Sequence, residues 1–194
     1  MERVLVIGAG GSGKTHVARR LARVIGVEPL HLDAAYYGPE WEIAPPEEFD
    51  LFQRRAVEGD RWVMDGNYAS TLPLRLPRAD TVVWLDPHPL VCVLAVLRRQ
   101  LQHGPGQRRE LGVYNRVSPG FLRYVWSYRR RMAPRIEHLL QLHASSAAVY
   151  RPRTRAEADR VIDGLIAQQL STAPGSHPRP PLSSPCSEAS ARTE

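Results

Sequence analysis

The sequence predicts an α/β fold, a parallel five-stranded sheet with helices on both faces. Three observations lead there. Short apolar runs alternate with helix-periodic segments along the 194 residues. The first run, Val4 to Ile7, passes directly into Gly8-Ala9-Gly10-Gly11-Ser12-Gly13-Lys14-Thr15. The next runs end at Asp33, Asp65 and Asp86. Parallel sheets bind ligands outside the carboxyl ends of their strands, so the conspicuous polar residues gather on one edge.

Taken in order, Val4 to Ile7 reads as a strand covered on both faces. A helix follows from about Gly13 to Ile25, with Val17, Ala18, Leu21 and Val24 on one face. Pro29 to Leu32 is a second strand, ending at Asp33, and residues 34–44 form an aromatic loop with Tyr36, Tyr37 and Trp41. Pro45-Pro46-Glu47-Glu48 opens a helix through about Glu58. Trp62 to Met64 is the third strand, Gly66 to Arg78 a polar loop, and Thr81 to Leu85 the fourth strand. His88 to Gln102 is helical, His103 to Ser118 reads as a mobile loop, and one long helix runs from Ser118-Pro119 to about Leu142. Ala147 to Tyr150 is the fifth strand, and Thr154-Arg155-Ala156-Glu157 caps a last helix ending near Gln169. Residues 170–194, with five prolines and six serines but two leucines, read as a disordered tail behind a single domain of residues 1–169.

Composition narrows the function classes. No apolar run approaches the roughly 20 residues that span a bilayer. The start, Met1-Glu2-Arg3, lacks a signal-peptide pattern, which predicts a cytoplasmic protein without a membrane partner. Two cysteines and seven scattered histidines give neither a disulfide framework nor a metal cluster held by protein ligands. The net charge of +6 is concentrated in residues 98–155, where thirteen arginines face only Glu110 and Glu137. Such clustering suits a phosphate-rich small ligand or nucleic acid, or a solvated helix face. Lys14 is the only lysine in the chain. The one compact ammonium thus lies in the glycine-rich loop, where a point charge is wanted.

That loop is a P-loop in its required context, after a strand and before a helix. Gly8, Gly10, Gly11, Ser12 and Gly13 let backbone N–H groups turn inward around phosphate oxygens. Lys14 reaches the outer phosphates of ATP, and the Thr15 hydroxyl ligates Mg2+. The metal calls for an acidic residue from a neighbouring strand. Asp65 is the first choice and Asp86 the second, with strand-end turn residues as the plainer reading of both. Asp33 beyond the second strand is placed to accept the proton of an acceptor hydroxyl, or else caps a turn. Tyr36 nearby is a candidate to stack on a substrate ring, or to cover the core.

These motifs, with His31-Leu32-Asp33, Asp65-Gly66-Asn67-Tyr68, Leu74-Arg75-Leu76, Ala79-Asp80 and Leu85-Asp86, resemble those of adenylate-kinase-like P-loop proteins often labelled DNA topology modulation proteins. The resemblance covers roughly residues 1–165. It implies the nucleoside-monophosphate-kinase type of P-loop NTPase, with strand order 2-3-1-4-5 and an arginine-rich lid at about 103–118. Asp65-Gly66 corresponds to the pair that carries the magnesium-side aspartate. Adenylate kinases continue with Phe-Pro-Arg where this chain has Asn67-Tyr68, which removes an acceptor-binding arginine; Arg75 is the candidate to take a substrate anion instead. Arg98 or Arg99 at the lid base, Arg108, Arg109 and Arg116 within it, and Arg123, Arg130 and Arg131 behind it are the implied phosphate-facing cations. Arg151-Pro152 resembles the segment bordering the adenine ring.

The expected function is therefore an ATP- and Mg2+-dependent kinase, monomeric or homodimeric, acting on a hydroxyl or phosphate acceptor of nucleoside or nucleotide type. The alternatives are an ATP-dependent protein acting on nucleic acid and a regulatory nucleotide-binding protein. No recognition helix, zinc finger or aromatic-basic sheet motif supports sequence reading of nucleic acid.

Overall fold

A computed structural model describes residues 1–108 and 113–172, without the side chains of 108, 113, 114 and 172. Strands β1 (Arg3–Gly8), β2 (Pro29–His31), β3 (Trp62–Asp65), β4 (Thr81–Leu85) and β7 (Ala148–Tyr150) form one sheet in the order β2-β3-β1-β4-β7, and every neighbouring pair is parallel. The order departs from the expected one in its last position. The edge strand is the seventh in the chain because β5 (Gly106–Arg108) and β6 (Val113–Asn115) make a separate antiparallel ribbon before it.

The strands alternate their side chains between two cores, as a period of two requires. Val4, Val6, Val63, Val83 and Leu85 meet α1 (Lys14–Ile25) and α8 (Arg155–Thr172) through Val17, Leu21, Ile162 and Leu165. Leu5, Ile7, Met64, Val82 and Trp84 meet the other helices on the opposite face. Those helices are α3 (Pro46–Glu58), α5 (Pro89–His103), α6 (Pro119–Arg131) and α7 (Ala133–His143). Each such fully buried aliphatic side chain contributes roughly 1.5–3 kcal/mol, so the parallel sheet is well fixed at the centre.

Several connections differ from the sequence expectation. Leu32–Tyr36 is a short helix, α2, so Asp33 lies in its first turn and not at a strand end. The segment 66–78 contains α4 (Leu72–Arg75) and a 3-10 turn at Leu76–Arg78. The expected long helix is broken between α6 and α7 at Met132. Pro134 lacks the N–H that would continue the ladder, and its ring crowds the preceding turn. Residues 103–118 hold the β5–β6 ribbon, whose three-residue strands are too short for alternation to be visible in the sequence. The last helix runs to Thr172, past Gln169, and the rest of the expected tail, 173–194, lies outside the described residues.

Candidate functional site

The P-loop joins β1 to α1 at the carboxyl edge of the sheet. Gly8, Gly11 and Gly13 take φ values of 148°, 80° and 98°, which L side chains rarely adopt. At Gly11 an added Cβ would lie 2.3 Å from the Cys92 carbonyl oxygen, so α5 is seated directly against the loop. Gly10 has a different neighbour. Its Cβ would lie 2.6 Å from the Phe121 ring of α6, with Val125 close behind. Lys14 Nζ donates to the Ala9 carbonyl at 2.9 Å, which closes the loop on itself. Thr15 follows in the first turn of α1, a turn without acidic residues, so the positive end of the helix is left for an anion. The Ser12 hydroxyl is buried inside the loop with no protein partner.

Asp65 ends β3 beside the loop and is 5% exposed. Its Oδ1 is 2.8 Å from His31 Nδ1, whereas Oδ2 is buried with no partner. Asp33 is reached by the Tyr68 hydroxyl, which donates to Oδ1 at 2.6 Å. Gly66 makes this meeting possible: at φ 141°, its missing Cβ would fall 2.7 Å from Leu32 Cβ, so the two loops touch. Tyr68 itself has φ 26°, a costly value for a bulky side chain. Tyr36, Phe49 and Tyr68 pack ring on ring with centroids 4.8–5.1 Å apart, and Tyr37 and Trp41 extend the cluster.

The charges of this edge act on one another. Burial lowers the Lys14 pKa below the ordinary lysine value, opposed by the Asp33 and Asp65 carboxylates and reinforced by Arg99. Burial likewise lowers Arg99, again opposed by Asp33. Tyr37, Tyr68 and Tyr124 are raised by burial and by the charge of Asp33, most strongly Tyr68, which also donates to it. The structure thus brings Lys14, Asp33, Asp65 and Arg99 into one electrostatic group.

Other candidates stand elsewhere. Arg75 is fully buried and donates to the carbonyls of Gly66, Asn67 and Tyr68 at 3.1–3.2 Å. Burial without a carboxylate lowers its pKa to about 9. It clamps the loop after β3 and does not face a substrate anion. The Asn67 side chain turns to α6, where its Oδ1 accepts from Tyr128 at 3.0 Å and its Nδ2 lies 3.4 Å from the Tyr124 hydroxyl. Asp86, 2% exposed, has both oxygens engaged: Arg129 Nε donates to Oδ1 at 3.2 Å and Arg151 Nε to Oδ2 at 3.0 Å. Arg151 also stacks over Trp84 at 3.7 Å and pairs with Glu137, and the Pro152 carbonyl accepts from the Asp86 N–H. Asp86, Arg129 and Arg151 form a structural ion-pair node.

Of the lid-base pair, Arg98 is exposed, while half-buried Arg99 donates to Asn115 Oδ1 at 3.3 Å. Arg130 and Arg131 are exposed, and it is Arg129 that turns inward. Helix periodicity places these three at successive 100° steps, so the sequence alone does not say which one faces in. The Arg108 side chain and all of Arg109 lie outside the described residues. The ribbon reaches across to the aromatic loop: Gln107 Nε2 donates to the Gly38 carbonyl at 2.7 Å, and Arg116 lies over the Trp41 ring at 5.7 Å. His31, Phe121, Tyr124 and Arg129 were not singled out by sequence as site residues; only the position of His31 before Asp33 hinted at its place.

No protein-family model matches the chain, and none of the curated proteins matches it. The resemblance to adenylate-kinase-like proteins therefore rests on the motifs alone. Among solved structures, the chain is similar to the shikimate kinase of Acinetobacter baumannii in complex with shikimate. The TM-score is 0.52 and the identity 17%, over 90% of this chain and 96% of that one. A presumed kinase from Chloroflexus aurantiacus J-10-fl is similar at TM-score 0.48 and 15% identity, over 87% of this chain and 99% of that one. At 17% identity the first likeness defines the fold. The chain has the α/β P-loop kinase fold. No described helix is long and apolar enough to cross a membrane.

Proposed function

We propose that the chain is a small-molecule kinase that uses ATP and magnesium to phosphorylate a hydroxyl group. The observation that carries this reading is the convergence of Lys14, Asp65 and Asp33 at the P-loop, with Asp65 Oδ2 buried and unpartnered. A buried carboxylate oxygen without a hydrogen bond is costly, and such a group at a phosphate loop fits a cation. The Ser12 hydroxyl, orphaned in the same loop, fits a phosphate or metal ligand in the same way. Thr15 and Asp65 are the residues to hold magnesium; when bound, it neutralises charge on the phosphoryl oxygens. Asp86 drops behind Asp65, because its oxygens are taken by arginines.

Lys14 exchanges the Ala9 carbonyl for the outer phosphates of ATP, and the glycine N–H groups surround them. The acceptor hydroxyl oxygen attacks the γ-phosphorus. Its proton passes to Asp33, the bond from the γ-phosphorus to the bridging oxygen breaks, and ADP leaves. Arg99 supplies positive charge on the transferred group, and the β5–β6 ribbon excludes water from above. Tyr68 holds one Asp33 oxygen and leaves the other to the acceptor.

A screen of hydroxyl compounds for acceptor-dependent ADP formation tests this, with mass analysis for a product carrying one added phosphoryl group and Lys14→Ala as the control. ADP formed at the same rate with every acceptor and with none would reject the kinase reading. A second reading, binding of nucleic acid, draws on Arg123, Arg130, Arg131 and Arg135, which are exposed along α6 and α7. Salt-dependent DNA binding, lost when these four are replaced and present without any acceptor turnover, would favour it.

A further inference from the structure

Asp65 ends β3, and His31 ends β2 directly beside it, the two residues paired across the parallel strands. Residues paired in this way share a face of the sheet, with their strands about 4.8 Å apart. Their side chains meet there: His31 Nδ1 and Asp65 Oδ1 are 2.8 Å apart, and the two side chains are 8% and 7% exposed. A carboxylate only accepts, so Nδ1 carries the hydrogen and donates it. We infer that His31 is a positioning residue for Asp65, one that keeps this carboxylate open to magnesium and stops it from closing on Lys14. The inference rests on the kinase reading above and adds a residue to it.

The need for such a residue follows from the charges. Lys14 and Asp65 carry opposite charge and attract each other. A direct ion pair between them would consume both groups, the ammonium that phosphate needs and the carboxylate that a cation needs. In the structure each is held by something else. Lys14 Nζ donates to the Ala9 carbonyl at 2.9 Å, and Asp65 Oδ1 accepts from His31. The lysine thus rests on a neutral oxygen, which it can leave for a phosphate.

His31 suits the task by where it stands. Its backbone is fixed by the pairing of β2 with β3, and a donor carried on a strand is placed more precisely than one on a loop. With one oxygen pinned, the carboxylate cannot turn toward Lys14. Oδ2, buried and without a protein partner, is then the oxygen left for magnesium.

The test compares His31→Asn, His31→Gln and His31→Ala in the full-length protein. The Asn amide nitrogen can stand where Nδ1 stands, the Gln amide nitrogen falls nearer the place of Nε2, and Ala has no donor. The readout is the magnesium concentration at half-maximal rise in Tm with a non-hydrolysable ATP analogue. It needs neither turnover nor acceptor, so it does not report on Asp33, which follows His31 in α2. The inference expects this midpoint to stay within about threefold of the parent in His31→Asn, and to rise at least about tenfold in His31→Gln and His31→Ala. In an Asp65→Asn background, where the carboxylate is already gone, adding His31→Ala should leave the midpoint unmoved. An unmoved midpoint in His31→Ala overturns the inference, as does a rise in His31→Asn equal to that in His31→Ala. A rise in the Asp65→Asn background as large as in the parent overturns it too, and makes His31 a strut between β2 and β3. All three results leave the kinase reading standing. If His31→Ala does not fold, His31→Gln takes its place in each comparison. A parent whose Tm with the analogue does not respond to magnesium rejects the kinase reading, and the inference with it.

Discussion

Two buried aspartates near the P-loop should respond in opposite ways to the same chemical change. In Asp65→Asn the amide oxygen still accepts from His31 Nδ1, now 2.8 Å from the carboxylate, so the contact that ties β3 to β2 survives. The loss of attraction to Lys14 is offset by relief of a buried charge whose Oδ2 has no partner. These two effects are each about 1–3 kcal/mol and opposed, which leaves a net change within about 1 kcal/mol. For a chain of this size that is a Tm shift within about 4 °C. Turnover should nevertheless fall at least roughly a hundredfold, about 2.7 kcal/mol of barrier, and the magnesium requirement should rise. In Asp86→Asn the amide nitrogen is turned against Arg129 or Arg151, whose side chains are 34% and 27% exposed. Breaking a fully buried pair costs about 3–5 kcal/mol; partial exposure of the arginines reduces this to about 2–3 kcal/mol. That predicts a Tm lower by about 5–10 °C, with the magnesium requirement unchanged. Thermal melts of both variants, with magnesium titrations of ADP formation, separate the cases. A raised magnesium requirement in Asp86→Asn but not in Asp65→Asn would refute the assignment, as would an Asp65→Asn melt that falls as steeply as its activity.

Lys14→Ala and Lys14→Arg should both abolish turnover while leaving circular dichroism and Tm near those of the parent, since a planar guanidinium does not fit a cradle closed by the Ala9 carbonyl. Because burial lowers the Lys14 pKa, its charge is lost at a pH below the ordinary lysine value of 10.5. The alkaline limb of kcat/KM for ATP should therefore fall below that value; a limb at or above it assigns the titration elsewhere. Asp33→Asn should remove phosphoryl transfer with the Kd for ATP within about twofold of the parent, as read by calorimetry; unchanged transfer would return Asp33 to a role in holding Tyr68. Hydrogen exchange over residues 103–118 should slow when ATP analogue and magnesium are added with an acceptor, and equal protection in all states would reject a closing lid.

The parts of the site that were legible in sequence are those written locally. The P-loop is one contiguous run whose glycines set its backbone, and Asp65 ends an apolar strand in the same stretch. Contacts between distant segments were not legible. Nothing in Leu74-Arg75-Leu76 says that the arginine turns inward to three carbonyls, since that depends on how α4 packs. Arg129 and its neighbours differ only in helix phase, and the register of α6 is set by Phe121 and Val125 against the P-loop. The sheet was readable because each strand carries its own pattern. The edge strand, read as the fifth, is the seventh in the chain, because the ribbon strands span only three residues each and were not readable.

Gly10 has a consequence for how this chain tolerates change. Unlike Gly8, Gly11 and Gly13, it has no positive φ, so its own backbone does not require glycine. What excludes a methyl group is the Phe121 ring 2.6 Å from where it would stand. The smallness of that position therefore belongs to a pair, one member in the phosphate loop and the other on the helix behind the ribbon. Alanine at position 10 should be damaging alone and repaired by a smaller side chain at 121, as a second-site suppressor. By the same contact, any inward tilt of α6 would press directly on the glycine-rich loop.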